Sequence, residues 1–255
     1  MESNEKEIIF ETAALAGEIM LKSGAEILRV DETMRRIASF YHLENVETFV
    51  LSSGIFLTSG DEKGVYRARV RHIPLAGARL DRIAAVNELS REIEQGKHTP
   101  AQALKELKKI AVLPGKPILH QILAAGIGSG AFCFLFGGDL LDSLASATAG
   151  LVLYAYILCL LHGRLSKIAS NVSGGALVMA LCLLFHGCGF GNHLDLMTVG
   201  SLLPLIPGVA FTNSIRDFAD EDYIAGSVRL IDTLVVILSI AIGVGIMLSL
   251  WGRIT

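Results

Sequence analysis

From residue 118 onward the sequence is built of five apolar stretches, about 118–137, 143–161, 168–188, 197–215 and 228–251, parted by short polar breaks. A helix needs roughly 20 mostly apolar residues to cross the hydrocarbon core of a bilayer. One such stretch fits a buried helix of a soluble enzyme. Five in succession predict a polytopic membrane bundle over residues 117–255. Charge is divided the same way: 34 of the 47 acidic and basic residues lie within residues 1–117. The expected fold class is therefore an α+β cytoplasmic head, residues 1–116, followed by an all-α polytopic membrane bundle of about five transmembrane helices. A single soluble globule and a bare bundle are both excluded.

A net charge of −3 leaves no basic excess to hold nucleic acid. The four cysteines, Cys133, Cys159, Cys182 and Cys188, all lie in or beside apolar stretches. That is no disulfide framework and suits a head in a reducing compartment. The polar start, residues 1–6, does not read as a signal peptide, so the head is expected to stay inside. Lysine and arginine favour the cytoplasmic flanks of spans. Lys105, Lys108, Lys109 and Lys116 precede the first span, Arg164 and Lys167 sit in the second break, and Arg216 and Arg229 in the fourth. This alternation predicts a multi-pass protein of the plasma (inner) membrane, with the C-terminus outside.

The fourth span reads Leu202-Leu-Pro204-Leu-Ile-Pro207-Gly208-Val-Ala-Phe-Thr-Asn213-Ser-Ile-Arg216-Asp217. Each proline removes an intrahelical amide donor, so Pro204 would free the Gly200 carbonyl and Pro207 the Leu203 carbonyl. A break at mid-membrane is how many secondary transporters build a substrate site; a plain proline kink is the alternative. Asn171 and Ser173 on span three, Asn213, Arg216 and Asp217 on span four, and Asp232 on span five share a depth near the cytoplasmic end. His120 and Gln121 lie at the same level. Charges within spans are costly and usually face a cavity or a partner. They predict a polar vestibule; an Arg229–Asp232 pair one turn apart and ordinary helix-end charge are the alternatives. The expected substrate-binding or translocation residues are Asn171, Ser173, Pro204, Pro207, Gly208, Asn213 and Arg216. Asp217 and Asp232 are the proton-coupling candidates. His186, Cys188, His193 and Asp195 match no standard zinc spacing, and neither a metal nor a cofactor is expected.

In the head, helices are expected over residues 5–22, 30–41, 80–95 and 100–110, with Asp31 and Glu32 in the first turn of the second. Strands are expected over 46–51, 54–59 and 65–72, with a hairpin loop at 60–64. Arg67, Arg69 and Arg71 alternate, which makes one strand face basic. That face could dock anions or lipid, or could simply be solvated. The head shows no nucleophile elbow, phosphate loop or metal signature, so no catalytic residue is assigned. Glu18, Glu26, Asp31, Glu32 and Asp81 could line a cleft with Arg29 and Arg79, or form a salt-bridged surface.

Several of these segments together resemble the threonine/serine exporter (ThrE-like) family. They are Leu21-Lys-Ser-Gly24-Ala25-Glu26-Ile-Leu-Arg29-Val-Asp31-Glu32-Thr-Met34, Ser53-Gly-Ile-Phe-Leu-Thr58, Arg71-His-Ile-Pro, Asp81-Arg-Ile-Ala-Ala-Val-Asn87, and the stretch from Pro204 to Asp217. The chain is similar to the larger subunit of the family's split form, in which a second small membrane subunit supplies the remaining spans. The resemblance implies export of small polar metabolites, amino acids such as threonine and serine, with dicarboxylates such as succinate as the alternative cargo. Proton antiport and possible homo-oligomers belong to the same expectation. A membrane-anchored sensor or hydrolase head is the reading of another class, and a channel a third.

Overall fold

The computed structural model describes residues 2–60, 66–74, 77–161 and 165–253. The chain divides into two compact units. One joins Met1–Pro114 to Val209–Leu230, the other Gly115–Gly208 to Ile231–Thr255.

The first unit opens with helices α1 (Glu2–Lys22) and α2 (Ile27–Phe40). Strands β1 (Glu47–Leu51), β2 (Gly54–Gly60) and β3 (Tyr66–His72) follow, then α3 (Leu80–Glu94) and α4 (Pro100–Ala111). The α+β expectation for this part holds. Helix α2 starts earlier than expected because Ile27 begins the buried stripe that continues through Val30, Met34, Ile37 and Ala38. Asp31 and Glu32 consequently fall beyond its first turn. Helix α4 starts where the sequence indicates. Thr99 and Gln102 form a reciprocal capping box ahead of Pro100.

The sheet is an antiparallel meander in the order β1-β2-β3. Its register sets Ile55 opposite Arg71 and Leu57 opposite Arg69. Cross-strand partners share a face, so these arginines lie on the same side as the fully buried Ile55 and Leu57. That side meets α1: Arg69 pairs with Glu11, Arg71 lies 3.6 Å from Glu18, and the Arg69 guanidinium sits 6.0 Å from the Phe10 ring centre. Helix α1 thus neutralises this part of the basic face. The opposite side carries Phe49, Phe56 and Val70, all exposed.

The second unit holds α5 (Ile118–Leu135), α6 (Leu140–Ala155) continued by a π-helical turn (Tyr156–Leu161), and α7 (Lys167–Gly187). Then come α8 (Leu194–Leu202), a 3-10 turn (Leu203–Leu205) and the later part of α10 (Tyr223–Trp251). Helix α9 (Gly208–Ala219) and the start of α10 pack with the first unit. Among the described residues four helical segments are long and apolar enough to cross a membrane. A fifth span arises if Leu194–Leu205 and Gly208–Ala219, bent at their break, count as one. The outward side chains fit that solvent: Ile127, Leu135 and Leu140 are each more than 70% exposed. The expected turn at 60–64 (Gly60 apart) and the break at 162–164 lie outside the described residues.

Small residues set the helix spacing in this unit. A Cβ on Gly130 would come 2.8 Å from the Ser143 carbonyl oxygen, and one on Gly175 would come 2.6 Å from that of Ile240. Backbone cannot move aside as a side-chain tip can. Gly175→Leu is therefore expected to part α7 from α10 and to cost about 1–3 kcal/mol, the usual range for overpacking. Thermal unfolding in detergent checks this, and an unchanged midpoint would contradict the packing described.

Candidate functional site

The proline-rich segment does interrupt its helix. Helix α8 ends at Leu202, the next three residues form a 3-10 turn, and Ile206 is extended at φ −67, ψ 123. Helix α9 starts at Gly208. The carbonyls expected to be free are occupied, however. Leu203 N–H donates to the Gly200 oxygen, and Ile206 N–H donates to the Leu203 oxygen at 3.1 Å. Gly208 N–H reaches the Ile206 oxygen at 2.9 Å. A proline deletes its own amide but not the one before it, so each carbonyl takes a shorter-range bond. What the break offers is each oxygen's second lone pair and a fresh helix N-terminus at Gly208.

Asn213, Arg216 and Asp217 are spaced i, i+3, i+4 and share one face of α9. That face meets the turn between α1 and α2. Gly24 makes the turn at φ +79, a conformation glycine adopts without steric cost, and the last α1 carbonyls are closed by Gly24 N–H on the Leu21 oxygen and Ala25 N–H on the Met20 oxygen. Asn213 Nδ2 donates to the Gly24 oxygen at 3.0 Å, and Arg216 pairs with Glu26. Arg229, from the first turns of α10, donates to the Ala25 oxygen at 2.8 Å. Its other terminal nitrogen lies 3.4 Å from Asp217, and both side chains are almost fully buried. The Arg229–Asp232 pair considered from sequence is not made. Asp232 is held by Lys167 of α7, 2.7 Å from each carboxylate oxygen.

The turn from Ser23 to Glu26 and the α9 face from Asn213 to Asp217 thus form one clasp. Beside it a cavity of about 300 Å³ is lined by Asp31, Arg35, Thr48, Asp217, Asp220 and Asp222 among others. Asn171 and Ser173 are half-buried on α7, where Ser173 Oγ donates to the Ser170 oxygen at 3.1 Å.

A model of the ThrE family, "Putative threonine/serine exporter", matches residues 11–251. The chain belongs to the threonine/serine exporter family. It is also 23% identical over 251 residues to a threonine/serine exporter of Corynebacterium glutamicum, covering 95% of this chain and 51% of that protein. The chain spans about half the length of this curated relative. No solved structure matches it. Family and apolar helices together make it a membrane protein.

The carboxylates of the first unit that were candidates for a cleft are mostly engaged by cations. Glu26 holds Arg29 and Arg216, Asp31 holds Arg35 and accepts from Thr48, and Glu18 faces Arg71. Arg79 grips Asp81 with two hydrogen bonds of 2.9 and 2.8 Å. Those bonds pull the Asp81 carboxyl down to about 2. A carboxyl depressed in the folded state stabilises above its unfolded value, near 4, and that contribution is lost as pH falls through about 2. The melting-temperature gap between the native chain and Asp81→Asn should therefore be open at pH 7 and close between pH 4 and 2. A gap independent of pH would contradict the pairing.

Sequence reasoning missed a second polar cluster, in the other unit. Asp139 caps α6 in a box with Asp142, a D-x-x-D signal legible locally. His193, some fifty residues on, joins them, so that one ligand-type atom from each lies within 4.8 Å of the others. That spacing could suit a cation, but the oxygens are already taken by N–H donors. The cluster is a hydrogen-bonded clasp. The loop group considered from sequence is not assembled around His193: His186 turns its Nδ1 to the Gly191 oxygen at 3.1 Å.

Proposed function

We propose that this chain is the larger subunit of a secondary active exporter of small polar metabolites of the threonine/serine type, working with a second small membrane subunit. Residues 1–116 lie on the cytoplasmic side of the plasma membrane and the C-terminus outside. The observation that carries the reading is the interrupted helix at Pro204–Pro207 within a chain of an exporter family. Broken helices put backbone groups and helix ends beside a solute at mid-membrane. The N-terminus of α9 suits a substrate carboxylate, and the remaining lone pairs of the Gly200 and Leu203 carbonyls suit an ammonium group.

Asn171, Ser173, Pro204, Pro207 and Gly208 make up the translocation set in this reading. Asn213 and Arg216 join it when they release Gly24 and Glu26, and Asp217 or Asp232 carries the coupling proton. The relative's doubled length supports a second subunit or self-assembly to complete the path.

The test is efflux of labelled threonine and serine from cells with and without the chain, alone and with its genomic neighbour. Loss of efflux on deletion, restored by the pair, is expected. Efflux of succinate alone would reassign the cargo, and no efflux of any of the three would overturn the reading.

A further inference from the structure

One end of the second unit is tied together by a single carboxylate. Asp142 of α6 is wholly buried. Its Oδ1 accepts from the backbone N–H of Asn192 at 2.6 Å and of His193 at 3.0 Å. Its Oδ2 accepts from Asp139 N–H at 3.0 Å and lies 2.7 Å from His193 Nδ1. Among the described residues its ion-pair partner is His193, whose side chain is 53% exposed. The other titratable groups facing the pair are Asp139 at the start of α6, Asp195 in the first turn of α8 and Cys133 of α5. His186 at the end of α7 is turned away to Gly191.

A buried carboxylate without a countercharge is costly. Here the countercharge comes and goes, because imidazole titrates near neutrality. With Nδ1–H committed to Asp142, the His193 Nε2 lone pair takes a proton from hydronium, leaving water, and returns it the same way. Asp142 holds the His193 imidazole above its usual value, chiefly through that hydrogen bond. Asp217 and Asp232 differ: Arg229 and Lys167 are permanently charged partners. The clasp also adjoins a short helix. His193 immediately precedes α8, which has nine residues and ends at the proline break.

We infer that His193, backed by Asp142, is the residue through which this chain exchanges a proton with water at that end of the bundle, the protonated clasp holding α8 by an ion pair and the deprotonated clasp holding it more weakly, by hydrogen bonds alone. The inference rests on the reading of the chain as a proton-coupled exporter.

The test uses right-side-out vesicles from cells making the full chain together with its genomic neighbour, loaded with labelled threonine. Efflux is followed over external pH 5 to 8.5, with threonine counterflow at equal pH on both sides. The native chain should show an inflection above the ordinary imidazole value of about 6.5. His193→Gln keeps a donor towards Asp142 but cannot titrate, and should flatten the profile, with measurable counterflow showing that the variant is folded. Asp142→Asn should move the inflection down. Should either variant fail to accumulate, histidine-ring NMR of the native chain in nanodiscs reads the same ionisation, and a His193 that stays neutral throughout overturns the inference. So does a His193→Gln profile that matches the native one while export persists. No efflux and no counterflow from the native chain overturns the export reading itself.

Discussion

Replacing Pro204 and Pro207 together with alanine is expected to reduce threonine or serine efflux at least tenfold while leaving the protein as stable as before or more so. Each proline in a helix interior costs about 3 kcal/mol, so the pair biases the chain by about 6 kcal/mol against a continuous helix. Alanine restores amides at 204 and 207. These can reclaim the Gly200 and Leu203 oxygens from Leu203 and Ile206, which hold them now. The 3-10 turn and the extended Ile206 would then revert to α-helix, and the N-terminus at Gly208 would disappear into its middle. Efflux and thermal unfolding measured on the same preparation separate this from misfolding. Undiminished efflux in a stable double variant would mean the break has no part in transport.

The second large effect concerns the buried pair. Arg229→Leu should destabilise the first unit by about 3–5 kcal/mol, because it strands the charge of Asp217 in a buried site and also strips the Ala25 oxygen of its donor. Asp217→Asn in the same background should recover much of that loss. Equilibrium unfolding of the native chain, both single variants and the double variant gives the coupling energy directly. A cost below 1 kcal/mol for Arg229→Leu alone would show that the pair is solvated.

Much of the architecture was legible because it is set by local pattern. The spacing of Val30, Met34 and Ile37 marks α2, Thr99-Pro100 marks the start of α4, and alternation marks the strands. Two prolines and a glycine within five residues mark the break. Partnership was not legible. Spacing puts Asn213, Arg216 and Asp217 on one face, but nothing local says that the face meets a turn almost 190 residues earlier. An Arg229–Asp232 pair is the alternative that helical proximity offers, yet each finds a partner on another helix. The alternation of β3 left anion docking, lipid docking and a solvated face open, and only the register sets Arg69 and Arg71 beside Leu57 and Ile55. The carbonyl prediction failed for a narrower reason, since it counted the bonds proline removes and not the shorter ones its neighbours can make.

Whether water and solute reach the break is read most directly by thiol labelling. The native cysteines are first replaced by serine, including the exposed Cys159 and Cys188. Single cysteines are then placed at Ile206 and Gly208 and treated with a membrane-impermeant reagent from either side. The account predicts modification at both positions, slowed by saturating threonine or serine. Positions that remain unmodified from both sides, in a preparation that still exports, would contradict it.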